Sequence, residues 1–176
     1  MTVVAAPAIT TWKIDPVHSN AQFKVKHMMI SNVKGEFTAL NGSLEFDNEN
    51  IANSQVEAAI DATSISTRDP QRDAHLKSAD FFDVEKFPAL TFKSTKVAKQ
   101  SGGELQVTGD LTIHGVTKSI TVKIAMTGTG KDMKGNPVIG FESTFTVNRN
   151  DFGIKEFPGV LGDDVTFTIS LEGDKK

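Results

Sequence analysis

Along most of the chain apolar and polar residues alternate with a period of two, the spacing at which one face of a β-strand is buried and the other is wet. Ala21-Gln22-Phe23-Lys24-Val25-Lys26 is one such run; Leu105, Val107, Leu111 and Ile113 mark another, and Ile120-Thr121-Val122-Lys123-Ile124 a third. The phase persists through Ile139, Phe141, Phe145 and Val147, and through Val165, Phe167, Ile169 and Leu171, with Thr166, Thr168 and Ser170 between them. Each run predicts a half-buried strand with Thr and Lys outward. Val33 to Phe46 predicts a longer strand in which Phe37 and Leu40 fall out of phase. A bulge or bend is therefore expected near Thr38–Leu40, eased by Gly35 and Gly42.

One stretch, Thr67 to Lys77, predicts a helix, with Asp69 suited to the N-cap and Pro70 to the first helical position. Ser78 is placed to cap a further turn carrying Phe81 and Phe82. Turn formers punctuate the strands at Asp47-Asn48-Glu49-Asn50, Ser101-Gly102-Gly103, His114-Gly115 and Gly135-Asn136-Pro137. An open sheet of that many strands would expose its apolar face and both edges, and closure removes both. The expected fold is therefore all-β: an antiparallel β-barrel of about eight strands with a short helical insertion, its interior either filled by side chains or holding one small ligand. A two-sheet sandwich is the alternative, and the length of the Val33–Phe46 run favours the barrel.

Without internal repeats or linkers, residues 11–172 read as one domain, with tails at 1–10 and 173–176. The absence of Cys rules out disulfides, a thiol nucleophile and thiolate metal sites. With 19 Lys and Arg against 22 Asp and Glu, the net charge of -3 argues against generic nucleic-acid binding. The chain has 12 Phe and no Tyr, an aromatic set that asks for no hydrogen-bond partner and so suits a dry interior. The first residues lack the basic start of a signal peptide, so the expectation is a cytoplasmic protein, or a periplasmic one if a signal peptide has been removed. No run approaches the roughly 18 apolar residues of a membrane-spanning helix.

The inward phases nominate an apolar pore: Phe23, Val25, Phe37, Leu44, Phe46, Phe92, Leu111, Ile113, Phe141, Phe145, Phe167 and Ile169. Catalysis finds little support. Asp15, His18 and Ser19 hold the letters of a hydrolase triad but are compressed into one turn, and no nucleophile-elbow or phosphate-loop motif is present. The histidines, His18, His27, His75 and His114, fall in separate elements without zinc-hydrolase spacing, so no metal site is expected. His18 and His114 read as turn residues bonded to backbone or carboxylate groups. The outward lysines, Lys24, Lys26, Lys93, Lys118 and Lys123, protect strand edges and aid solubility, or contact anionic lipid heads during loading.

Four ordered segments go beyond pattern. They are Trp12-Lys13-Ile14-Asp15-Pro16-Val17-His18-Ser19 with Phe23 to Met28; Arg72 to Val84 with Phe87-Pro88 and Thr91-Phe92; Gly109 to Lys118; and Asn148-Arg149-Asn150-Asp151-Phe152-Gly153. Together they resemble the YceI-like, polyisoprenoid-binding family from about Trp12 to Leu171, with Phe87 where that family often has Tyr. The resemblance implies a lipocalin-like barrel holding an amphiphilic ligand, an isoprenoid quinone or polyprenyl compound, and many relatives are periplasmic. Of the three arginines, Arg68 and Arg149, with His75, become candidates for a polar rim around a pyrophosphate or quinone carbonyl; pairing of Arg72 or Arg149 with Asp73 or Asp151 is the structural alternative. The expected function is binding, storage or transport of the isoprenoid, with no catalytic residue and no cofactor besides the bound lipid. Transient membrane contact and a homodimer are the other partners considered. The alternatives are an enzyme or accessory factor of isoprenoid metabolism using the rim His or Arg, and an interaction module with a filled core.

Overall fold

In the computed structural model, which describes residues 9–176, the alternating runs become a single antiparallel sheet. Its strands are β1 (Thr10–Ile14), β2 (Asn20–His27), β3 (Ser31–Phe37), β4 (Leu40–Phe46), β5 (Gln55–Asp61), β6 (Ile65–Ser66), β7 (Ala89–Lys99), β8 (Leu105–Ile113), β9 (Val116–Lys131), β10 (Pro137–Asn148) and β11 (Leu161–Lys175). The first six are three interrupted strands. β1 and β2 both lie on β11, β4 and β3 lie on β1 and β2, and β5 and β6 lie on β4 and β3. Joined in this way they make an eight-stranded closed barrel, and the sandwich alternative falls. The three-residue ladder Trp12–Ile14 against Gly173–Lys175 completes the closure. The chain from Gly173 to Lys175 is thus strand rather than the tail expected there, and residues 1–8 of the expected N-terminal tail lie outside the described residues.

Each interruption has a local cause. Between β1 and β2, the Asp15 carboxylate accepts from Val17 N–H at 2.8 Å and pairs with His18 Nδ1 at 2.5 Å, while Glu172 N–H donates to Ser19 Oγ at 3.0 Å. The expected bend between β3 and β4 falls at Thr38–Ala39, where Thr38 N–H reaches Ser64 C=O and Ala39 N–H reaches Ser64 Oγ. The backbone groups that leave the ladder are thereby satisfied. Gly35 and Gly42 do not make this bend. A Cβ at Gly35 would strike the Phe23 ring, and one at Gly42 the Glu57 carbonyl oxygen, so both serve close approach across the sheet.

The insertion lies at the barrel end reached by the N-terminus of β11, called here the upper end. Helix α1 (Pro70–Lys77) starts where expected, its Asp69 cap accepting from Gln71 and Arg72 N–H. Asp73 accepts from Thr67 N–H and Oγ1, and Arg72 donates to Thr67 Oγ1 and C=O, which ties the helix back to the end of β6. Arg72 therefore anchors the helix through Thr67, not through Asp73. Ser78 ends α1 and, as expected, caps the turn that follows: its Oγ accepts from Asp80 N–H and its C=O from Phe81 N–H, and that turn carries Phe81 into the core and Phe82 edge-on against Phe37 at 5.7 Å.

Two apolar clusters fill the barrel. The upper gathers Phe37, Ile65, Phe81, Leu90, Phe152 and Phe167; the lower gathers Trp12, Leu44, Val56, Val107, Ile139 and Phe141. Phe92, Ile120 and Phe145 pack against both and join them. In the lower cluster, Trp12 Nε1 is the one buried side-chain polar atom among the described residues without a hydrogen bond.

The β1–β2 break titrates. The hydrogen bond that His18 donates to Asp15 lifts His18 above its ordinary value of 6.5 and holds Asp15 below 3.8. The His18 contribution to stability is complete below the unfolded value of 6.5 and is lost as pH rises through its higher folded value. The Asp15 contribution is complete above 3.8 and is lost as pH falls through its depressed value. In an NMR titration His18 is expected to have a midpoint above that of a free imidazole, and Asp15→Asn to bring it down. Equal midpoints in the two proteins would refute the pairing.

Candidate functional site: the barrel lumen

Inward positions of seven strands, β4 through Leu40 and six others, line a cavity of about 100 Å³. β5 contributes Val56, Ala58 and Ile60, and β7 contributes Leu90 and Phe92. β8 supplies Leu111 and Ile113, β9 Ile120, Val122 and Ile124, β10 Phe141 and Phe145, and β11 Phe167, Ile169 and Leu171. A smaller cavity of about 50 Å³ lies toward the lower end against Leu44, Phe46, Val97 and Leu105. The two share Val56, Ile124, Phe141 and Leu171, so one apolar column runs along the barrel axis with Phe141 as its waist. Phe145 stacks on Phe167 at 5.5 Å, and Phe46 meets Phe141 edge-on at 5.8 Å. Opposite Gly109 there is no room for a Cβ, because the Phe92 ring lies across that position and back against the wall. Both volumes fall below the ~300–1,000 Å³ of a typical ligand pocket, so side chains fill most of the lumen.

Most of the expected pore residues lie here. Phe92, Leu111, Ile113, Phe141, Phe145, Phe167 and Ile169 line the main cavity, and Leu44 and Phe46 the lower one. Phe23, Val25 and Phe37 line neither and are corrections to the expected set. β2 and β3 lie beyond the breaks, where the insertion fills the barrel: Phe37 is covered by Phe82, Phe23 packs on Phe37 at 5.6 Å, and Val25 is buried opposite Val33. Leu40, Leu90 and the inward residues of β5 and β9 were not anticipated. Ile120, Val122 and Ile124 belong to a recognised alternation, whereas Val56-Glu57-Ala58-Ala59-Ile60 hides its period behind adjacent alanines.

The barrel wall opens at one seam. The β9–β10 ladder runs only over Ala125–Lys131 against Pro137–Glu142; above it the strands part, and Ser143 Oγ donates to Lys123 C=O at 2.7 Å. Thr91 on β7 and Glu142 and Ser143 on β10 border the main cavity without turning a polar atom to it, Glu142 being exposed on the outer face, and Glu45, Ser54 and Gln55 border the lower one. Neither lining contains a Lys, Arg or His.

The expected rim does not assemble. Arg149 is buried, and all five of its N–H groups are engaged, by the carbonyls of Ile154, Glu156, Leu161 and Gly162 and by the Asp163 carboxylate. It organises the loop before β11, keeps no donor for a ligand, and pairs with Asp163 rather than Asp151. Arg68 lies on an outer polar groove with Lys24, Lys34 and Glu36. His75 is exposed, bonded to Asp80 at 3.0 Å and edge-on to Phe81 and Phe157. The remaining chemical candidates are engaged in turns. His114 Nδ1 lies 3.2 Å from Phe152 C=O, and Ser19 Oγ bonds to the Glu172 backbone, so it makes no nucleophile–base contact with His18. Potential ligand atoms of Asp15, His18 and Glu172 do fall within 4.8 Å of one another, with His18 already held by Asp15.

An eight-stranded closed antiparallel barrel with an apolar inward face belongs to the lipocalin-like class. A family model described as a YceI-like domain matches residues 12–173, and the chain belongs to that family. It is 42% identical over 161 residues to a UPF0312 protein of Vibrio parahaemolyticus, covering 90% of this chain and 83% of that one. To protein YceI of Escherichia coli O157:H7 it is 40% identical over 164 residues, covering 92% and 85%. Among solved structures it resembles the Campylobacter jejuni YceI protein, with a TM-score of 0.76 and 34% identity over 86% of this chain and 90% of that one. A polyisoprenoid-binding domain from Saccharophagus degradans, implicated in plant cell wall breakdown, shares the fold at a TM-score of 0.73 and 15% identity, covering 96% and 99%.

Arg149→Lys separates support of the loop from recognition of a ligand. Lysine has three donors without the planar fork, so buried carbonyls lose partners and urea unfolding should show a loss of about 2–3 kcal/mol. Lipid retention by the folded variant should be unchanged, and a selective loss of retention would return Arg149 to the rim.

Proposed function

We propose that this chain is a carrier that holds one isoprenoid molecule, with the tail in the lumen and an uncharged head at the β9–β10 seam. The observation carrying this reading is the composition of the lumen: an apolar column along the barrel axis, lined by no cation and bordered by few polar residues. A tail gains roughly 25 cal/mol for each Å² of apolar surface buried, against the cost of immobilisation, so a long apolar chain suits such a column better than a compact polar ligand. Neither lining offers a cation or other donor that would repay burial of a pyrophosphate, which favours a quinone or another neutral head. The polyisoprenoid-binding domain that shares this fold supports the same ligand class. The relatives named above bear no enzyme names, and the engaged states of His18, Ser19 and Arg149 support a binding role over catalysis.

A second reading has an observation in its favour. The small cavity volumes suit a barrel filled as core, with an outward interaction role. The carrier reading requires the partly buried Phe92, Phe145 and Ile120, which join the two clusters, to move aside for the tail.

Native mass spectrometry of the protein as purified, and after incubation with an isoprenoid quinone or a polyprenyl diphosphate, separates these readings. The expected result is a one-to-one adduct with the quinone and a raised unfolding temperature. A bare mass with no stabilisation by either lipid would sink the carrier, and preference for the diphosphate would sink the uncharged head. Phe145→Asp should abolish the adduct and destabilise the fold by about 3 kcal/mol or more, through an unpaired charge on the lumen side. Outward Thr146→Asp should do neither.

A further inference from the structure

The hairpin joining β2 to β3 projects at the upper end, and its tip is the reverse of what an exposed turn requires. Met28, Met29 and Ile30 are 54%, 71% and 82% exposed. Ile30 N–H bonds to His27 C=O at 3.0 Å across a turn whose central residues, Met28 and Met29, have φ of 52° and 58°. Glycine, asparagine and aspartate hold such left-handed positions because bulky side chains there are strained. Exposed Val160, whose carbonyl accepts from Met28 N–H, extends the apolar surface.

The legs of the hairpin carry a second unfavourable arrangement. Lys24 and Lys34 are directly opposite each other in the β2–β3 register, a cross-strand pair of like charge. Both face the outer groove of about 540 Å³ that also receives Arg68, with Glu36 its one carboxylate. Lys26 sits between this pair and the tip. None of these four cations forms a salt bridge among the described residues. The segment from Lys24 to Lys34 contains three lysines and no acid, in a chain of net charge -3.

We infer that this hairpin docks the protein on an anionic lipid bilayer. Met28, Met29 and Ile30 enter the headgroup boundary, while Lys24, Lys26, Lys34 and Arg68 face the anionic heads. An apolar tip with cations behind it matches a bilayer interface, where both the exposed apolar side chains and the opposed lysines find favourable surroundings. A purely electrostatic polyanion would leave the tip unexplained, and a purely apolar partner would leave the opposed lysines unexplained. The docking is independent of the cargo, and either can fail while the other stands.

Co-sedimentation with vesicles free of isoprenoid tests the inference, using phosphatidylcholine alone and phosphatidylcholine mixed with phosphatidylglycerol. The protein should partition onto the mixed vesicles, more weakly at high salt, and far less onto phosphatidylcholine. The double variant Met28→Asn, Met29→Gly places in the turn the pair that favours its backbone, so its unfolding temperature should be equal or higher while vesicle binding is lost. Lys34→Gln should weaken binding about fivefold. Equal binding by the native protein and the double variant would overturn the inference, as would equal binding to both vesicle types. Sedimentation velocity without lipid completes the test: a dimer abolished by the double variant would make the tip a contact between two copies and overturn the bilayer assignment.

Discussion

Closure of one sheet on β11 is the constraint on which the rest of the molecule depends. β10 lies along one side of β11, and β1 and β2 share the other, so a single strand completes the circle at both of its ends. With the inward face apolar along its length, an unclosed sheet would expose both clusters and two long edges. The closing ladder is crowded. A Cβ at Gly173 would stand 3.1 Å from Trp12 Cβ and 3.2 Å from an Ile139 methyl, so a side chain there would push β1 and β10 outward by a few tenths of an ångström.

Closure also divides the work between the two ends. In the lower half strand residues form most of the wall, with Ile51 and Ser54 from the turn between β4 and β5 added to it. In the upper half β2, β3 and β6 form a flap beyond the breaks, and the insertion supplies what the strands do not. Phe81 and Phe82 cover Phe37, and Arg149 gathers four carbonyls, two in the loop that leads into β11 and two at the start of β11. This explains why so many polar side chains at the upper end have no capacity left for a ligand. A buried carbonyl without a partner costs about as much as a cap gains, and here the conspicuous side chains, Arg72, Asp73 and Arg149, are used to satisfy backbone. The lumen is left to apolar packing, and at two places a side chain replaces the ladder in holding the wall: Ser143 at the seam above Ala125, and Ser94, which accepts from Val56 N–H below the β5–β7 ladder.

Alternation made the strands and the barrel legible, because the period of two survives any tertiary arrangement that buries one face. Helix α1 was legible for the same kind of reason: Asp69 and Pro70 act on neighbours in sequence. Residues whose role depends on distant partners were not legible. Phe23 and Phe37 have the right phase, yet the insertion occupies the space they face, and nothing local to β2 or β3 signals that Phe82 will arrive there. Arg149 stood out by rarity, but its partners lie in the loop that follows and at the start of β11, whose paths are set by the barrel end. β5 shows the opposite failure, in which a regular inward phase was obscured by Ala59, small enough to sit outward without looking polar.

Trp12 gives the molecule an optical consequence. It is the chain's one tryptophan, no tyrosine is present, and its indole is buried in the lower cluster on the strand that closes the barrel, with no partner for its N–H. Emission excited at the red edge of protein absorption therefore arises from one place. An indole in a dry, unbonded setting emits to the blue of a hydrated one, so the colour of that light follows the closing ladder itself. Loosening of β1 from β11 shifts it to the red, whereas unfolding confined to the insertion or the upper hairpin leaves it unchanged.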